Sequence, residues 1–223
     1  MFPLFETIQS LKKAKLAGLM LMSSLLAGFI ILAIAIGLSG LAEFIVNIKM
    51  GWLDNSINVI AGVLAGIGGW FMLPALIPII AGMFQERVIH NVEEAYYPEN
   101  ALTISPRFWP DFKHDVKFTL LALFLNVLLL PFYVIGIGLL MSVALNAYLL
   151  GREFFESAAG YHLGKPKAKE LIKTNKIAVY GGGLCITGLT LIPFLNIFTP
   201  ILAICWMTHL YNGHVEVKPE WRD

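Results

Sequence analysis

Four runs of the chain contain no Asp, Glu, Lys or Arg: Leu16 to Ala42, Ile57 to Phe84, Phe118 to Leu150 and Ile177 to Thr208. Each exceeds the roughly 20 residues that carry a helix across a hydrocarbon core of about 30 Å. Backbone groups without water partners must satisfy one another, so runs of this length in lipid are helices. The composition agrees, since 57% hydrophobic and 14% charged residues lie far from the soluble balance, in which about a quarter are charged. The expected class is all-α integral membrane, with residues 1–223 forming a single membrane domain. Nothing in the charge pattern suits a polyanion, so no nucleic-acid partner is expected. Cys185 and Cys205 both fall in the last run, which predicts neither a disulfide framework nor a zinc site. Lysines before the first run resemble the start of a signal peptide, but that run is about twice the length of a 7–15-residue signal core, and a retained first membrane helix is expected.

Leu4, Ile8 and Leu11 recur at helical spacing against Glu6, Gln9, Lys12 and Lys13, so residues 1–15 read as an interfacial helix, with a frayed terminus as the alternative. The first transmembrane helix is expected over 16–46, and Gly51 with Trp52 suits an interfacial turn. The second is expected over 57–97. It has Gly62 and Gly66 spaced for close helix packing and Pro74 and Pro78 as kinks, and a cytoplasmic extension carries Val88, Val92 and Tyr96 on one face up to Pro98. Phe108 and Trp109 then read as interface anchors, and Asp111 as the cap of the next helix. The third and fourth runs carry Pro131 and Pro193 near their middles, which predicts broken hairpins over 112–159 and 177–211. Aligning the two prolines also pairs Gly151 with Gly213, a faint internal echo.

Lysine and arginine sidedness selects the topology. Three precede the first run, one lies between the first and second, four between the second and third, six between the third and fourth, and two follow. If every run crossed once, the division would be nine against seven. If the last two runs turn back at their prolines, it is 15 against one, as the positive-inside rule expects, with both termini cytoplasmic. Leg lengths of 13 residues for 118–130 and 19 for 132–150 favour two long transmembrane helices plus two proline-broken re-entrant hairpins; six transmembrane helices are the alternative.

The runs hold no interior carboxylate for a proton relay. Asn126, Asn146 and Asn196, with Thr190 and Thr199, read either as lining for a hydrophilic passage or as interhelical hydrogen-bond partners. Helix starts near Phe132 and Phe194 would turn backbone N–H groups toward an anion. Arg152 and Glu156 stand at i, i+4 with Glu153 on a neighbouring face, which suits a structural clamp or an ion vestibule. Lys165, Lys167, Lys169, Lys173 and Lys176 form a basic loop able to attract anions or anionic lipid. His209 and His214 lack metalloprotease spacing, and no phosphate loop or nucleophile elbow occurs, so no catalytic residue, metal or cofactor is expected.

The run Gly-Arg-Glu-Phe-Phe-Glu at 151–156, the run Ile-Pro-Phe-Leu-Asn-Ile-Phe-Thr-Pro-Ile-Leu-Ala at 192–203, Thr208-His209-Leu210 and Tyr97-Pro98 resemble the CysZ sulfate-permease family and its wider etoposide-induced-protein-like superfamily. The resemblance covers roughly Val92 to Tyr211. It implies two long membrane helices, two hemi-penetrating helical pairs and sulfate uptake for cysteine synthesis. The family's basic Gly-Leu-Arg element has no clear counterpart over Lys12 to Leu19, where Lys12, Lys13 and Lys15 offer charge without the bidentate fork of arginine. The expected function is a cofactor-free permease or channel for a small anion such as sulfate, in the bacterial inner membrane, as a homo-oligomer in contact with lipid. A non-transporting membrane scaffold of the wider superfamily is the alternative.

Overall fold

The computed structural model describes residues 3–46, 84–100 and 108–215, and among these there is helix and no strand. Residues 57–83 of the second expected span, including Gly62, Gly66, Pro74 and Pro78, lie outside the described residues, as do the turn at Gly51 and Trp52 and the side chains of Phe108, Trp109 and Asp111. The chain forms two compact units, one of residues 1–19 with 85–223 and one of residues 20–84.

In the larger unit, α1 (Leu4–Lys13) turns Thr7 and Ser10 inward and leaves Leu4, Phe5 and Ile8 more than half exposed. Both buried hydroxyls donate to carbonyls of the preceding turn, at Pro3 and Glu6, so their burial leaves no donor unmet. The segment is helical, with an outward apolar side. Lys15, at φ 53°, breaks the backbone before α2 (Leu16–Val46), and the Asn91 amide donates to the freed Ala14 carbonyl at 3.2 Å. Helix α3, over 84–96, buries Val88 and Val92 fully and stops before Pro98, as the stripe in the sequence predicts.

Helix α4 (Phe108–Val134) starts three residues before the expected cap, so Asp111 lies inside its first turns. It also runs through Pro131, which was expected to mark the break. A proline this close to a helix end removes one hydrogen bond without stopping the helix. The chain turns instead at 135–137, where Gly136 supplies φ 81°, and Gly138 opens α5 (Gly138–Leu163) against the Tyr133 backbone. The second leg therefore begins at Gly138 rather than near Phe132, and the first leg is the longer one. Its stretch Val116–Val134 is long and apolar enough to cross a membrane, with only 6% of it buried within the fold. Among the described residues it is the one unbroken helix with that property.

The basic segment expected as a loop is helix α6 (Lys165–Thr174), started by Gly164 at φ 78° and Pro166 and anchored by buried Ala168 and Leu171. Helix α7 (Lys176–Thr190) ends before Ile192, whose extended backbone is what a residue preceding proline adopts. A single turn, α8 (Pro193–Asn196), and then α9 (Thr199–His214) follow. The second break thus falls at its proline as expected, but the returning leg starts at Thr199 rather than Phe194. At 15 and 16 residues, α7 and α9 are about 22–24 Å long, short of a full crossing. The third and fourth runs each fold back, α4 packing on α5 and α7 on α9.

The core sits where α5, α7 and α9 meet, with Phe155, Ile186, Ile204 and Met207 excluded from solvent. Helices α5 and α7 make the most extensive pairing among the described helices. Gly151 faces Gly183 there: a Cβ on Gly151 would stand 2.7 Å from the Val179 carbonyl and 3.0 Å from the Gly183 Cα, and one on Gly183 would strike the Ala147 carbonyl. Only glycine lets two backbones approach this closely.

In the smaller unit, α2 from Met20 onward presents Leu21, Leu25, Phe29, Leu32 and Ile36, each about 60–70% exposed. Ser23 and Ser24 donate back to the Met20 carbonyl, so these hydroxyls need no external partner. The helix keeps the bounds 16–46 expected from the sequence.

Gly183→Ala should destabilise the protein by about 1–3 kcal/mol through the clash with Ala147. Gly188→Ala, which meets nothing within 4 Å, should leave it unchanged or slightly more stable. Thermal unfolding of both variants in neutral detergent checks the contrast.

Candidate functional site

Several polar side chains of the larger unit are buried around the second half of α5. Arg152 lies one residue beyond the α5–α7 glycine contact, and i, i+4 spacing sets Glu156 one turn further on. Arg152 Nε donates to Glu156 Oε1 at 2.7 Å, with the two side chains only 9% and 4% exposed. His114 of α4 places Nε2 at 2.7 Å from Glu156 Oε2, so both carboxylate oxygens are engaged. The Arg152 guanidinium also covers the Phe118 ring at 4.8 Å, a cation–π contact. Burial by itself would lower the Arg152 pKa, but the hydrogen bond and charge of Glu156, with a smaller share from Tyr148, raise it. The charge of the pair sums to zero, which is the clamp geometry that spacing alone suggested.

Two further clusters involve α9, one joining it to α3 and α5 and the other to α1 and Tyr97. Glu93, 1% exposed, accepts from His162 at 2.7 Å and from the Asn212 amide at 3.0 Å, both through Oε1. Its second oxygen, Oε2, has no hydrogen-bond partner among the described residues. The Tyr211 ring stacks on His162 at 5.6 Å. Around His209, Nε2 meets Ser10 Oγ at 2.7 Å and Nδ1 meets the Tyr97 hydroxyl at 3.1 Å. Because the Ser10 hydroxyl donates to the Glu6 carbonyl, it accepts from His209 Nε2–H, leaving Nδ1 to accept from Tyr97. That order requires a neutral imidazole and a protonated phenol. Burial supplies both conditions: it lowers the His209 pKa to about 4, against an opposing pull from Glu6, and together with the Glu6 charge it raises that of Tyr97.

The other residues singled out in the sequence are placed as follows. Lys12, Lys13 and Lys15 are exposed, and Lys13 Nζ stands 3.9 Å from the centre of the Tyr96 ring. Glu153 is half-buried. Asn126 is exposed and returns its amide to the Ala122 carbonyl at 2.8 Å, Asn146 is half-buried and donates to Ser142 Oγ at 3.3 Å, and Asn196 is half-buried at the end of α8. Thr190 and Thr199 donate to Thr187 and Leu195 carbonyls nearby in the chain. Glu93, His114, His162 and the Ser10–His209–Tyr97 chain escaped sequence reasoning. Their partners lie 42 to 199 residues away, and no local spacing signals such pairs.

The family described as sulfate transporter CysZ/etoposide-induced protein 2.4 matches residues 4–200 of the chain. No curated protein and no solved structure matches it.

Glu156→Gln leaves Arg152 buried without its counter-charge and should cost about 3–5 kcal/mol of stability. The paired change Arg152→Met with Glu156→Leu should cost less than either single change, and a double-mutant cycle read by thermal unfolding in detergent decides this. A pH dependence follows from His209. Below its ordinary value of 6.5 the unfolded chain takes up a proton that the folded chain refuses until about 4, so stability is complete above 6.5 and falls as pH descends through that window. His209→Gln, which cannot titrate, should flatten the melting temperature between those limits.

Proposed function

Because the chain belongs to the sulfate transporter CysZ/etoposide-induced protein 2.4 family, we propose that it moves a small inorganic anion across a membrane, with sulfate the first candidate. The match over residues 4–200, which takes in α1, α2, the first hairpin and the outgoing leg of the second, is the observation that carries this reading. The exposed apolar stretch Val116–Val134 supports a lipid environment, since so large an apolar surface has no stable exposure to water. In this reading the protein resides in a bacterial inner membrane as a homo-oligomer, with both termini and the six cations between the third and fourth runs in the cytoplasm. The short α7 and α9 support a re-entrant second hairpin. The first hairpin pairs a leg long enough to cross with an α5 whose apolar part, Gly138 to Leu150, is only about 20 Å.

Arg152 is not the first choice for the anion. Its charge is matched by Glu156 and its side chain is buried, so an incoming anion would have to displace a carboxylate already held at 2.7 Å. The exposed lysines at the end of α1 and on α6 provide uncompensated positive potential at the entrance instead. The saturated polar layer on α5 also favours a second reading, a membrane scaffold without transport, in which α3 and α6 engage soluble partners.

Labelled sulfate uptake by proteoliposomes containing the full chain separates these. Protein-dependent flux, competed by sulfite, is the expected result. Absence of flux for sulfate and for related oxyanions, together with recovery of one recurrent soluble partner by crosslinking in cells, would replace transport with the scaffold.

A further inference from the structure

Helices α5, α6 and α7 enclose a groove of about 660 Å³, whose significance does not depend on transport. Tyr148 and Arg152 of α5 form one side, Lys169 and Lys173 of α6 another, and Lys176 and Tyr180 of α7 the third. Lys169 and Lys173 stand one helical turn apart on α6, and Lys176 opens α7 at the point where the last apolar run begins. Arg152 is already neutralised by Glu156, whereas no ion pair among the described residues engages the three lysines, and no acidic side chain lines the groove. The groove therefore carries an excess of about three positive charges.

Its walls are nevertheless mainly apolar. Ile172 and Ile177 supply much of them, and Ile177 is 89% exposed; Leu184, two turns along α7 and 48% exposed, extends the apolar surface away from the cations. A free sulfate or phosphate would fill a small part of this volume. It would exchange hydration for contact with hydrocarbon, with only mobile ammonium groups in return. An amphiphile with an anionic head matches both halves: its charge meets the lysines while its chain covers a surface that water leaves unsatisfied. The groove also lies where a basic helix gives way to an apolar one, the depth at which a phospholipid changes from head to tail.

We propose that this groove binds one anionic phospholipid, with Lys169, Lys173 and Lys176 around the phosphate and the acyl chain along Ile177 and Tyr180. Each cation near a lipid phosphate contributes enough that losing all three should weaken retention by more than roughly tenfold.

The test uses the full chain purified in neutral detergent and mixed with phosphatidylglycerol or with phosphatidylcholine of the same acyl chains. Retained lipid is read by native mass spectrometry and the melting temperature is read in parallel. Phosphatidylglycerol should be retained at least tenfold more strongly and should raise the melting temperature. The triple change Lys169→Gln, Lys173→Gln and Lys176→Gln should abolish that preference, and the corresponding triple change to arginine should keep it. Each single change to glutamine should reduce it in part, which preserves the test if the triple variant folds poorly. Equal retention of phosphatidylcholine overturns the proposal, as does an undiminished preference in the glutamine variants. Inorganic sulfate or phosphate at matched concentration reproducing the stabilisation, or displacing phosphatidylglycerol, would also overturn it in favour of a free-anion site.

Discussion

The close approach of α5 to α7 at Gly151 and Gly183 sets the geometry of the larger unit. With no Cβ between them, the two backbones come near enough for Ala147 and Val179 carbonyls to lie against the opposing glycines. Arg152, the next residue along α5, is thereby held inside the helix cluster instead of facing water. Its burial in turn compels a partner, because an isolated charge in such a place costs several kcal/mol. Glu156 and His114 meet that requirement, and they tie α4 to α5 in doing so. On the other flank of the same contact, α6 and the start of α7 are kept apart just enough to leave the basic groove.

Around an apolar core, the arrangement departs from the habit of a water-soluble fold on the outer faces of α2 and α4. Leucines, phenylalanines and isoleucines lie outside along α4 and along α2 of the smaller unit, while Glu93, Arg152, Glu156, Thr208 and His209 lie inside. Lipid removes the drive to bury apolar side chains and makes internal hydrogen bonding the stronger organiser. The three polar clusters accordingly bind α1, α3, α4 and α9 to α5 or to one another at the ends of the apolar runs, where helix termini would otherwise fray. Glu93 is the exception to full satisfaction, with one oxygen held twice and the other not at all.

This economy separates the charges that hold the fold together from those that lie exposed. Arg152 belongs to the first kind despite its prominence in the sequence, because its counter-charge is supplied by its own helix. Lys169 and Lys173 of α6 belong to the second, since their helix buries Ala168 and Leu171 and leaves these two cations exposed. The same separation explains how a groove can be basic at its rim and apolar on its walls.

The helical class, the helix of α1, the stripe of α3 and the reversals within the third and fourth runs were legible in the sequence, because each follows from hydropathy and period along a short stretch of chain. The Arg152–Glu156 pair was legible for the same reason, being a property of one helix. The turn at 135–137 was not: Pro131 is the louder local signal, yet a proline in the last turn of a helix is tolerated, and Gly136 provides the positive φ that a reversal needs. Nor could spacing reveal that His114, Glu93 and His209 find partners 42 to 199 residues away, or that three lysines on two helices surround one groove. Hydrophobic pattern acts locally and survives in one dimension, whereas which charges meet depends on how closely helices pack, and only the folded chain decides that.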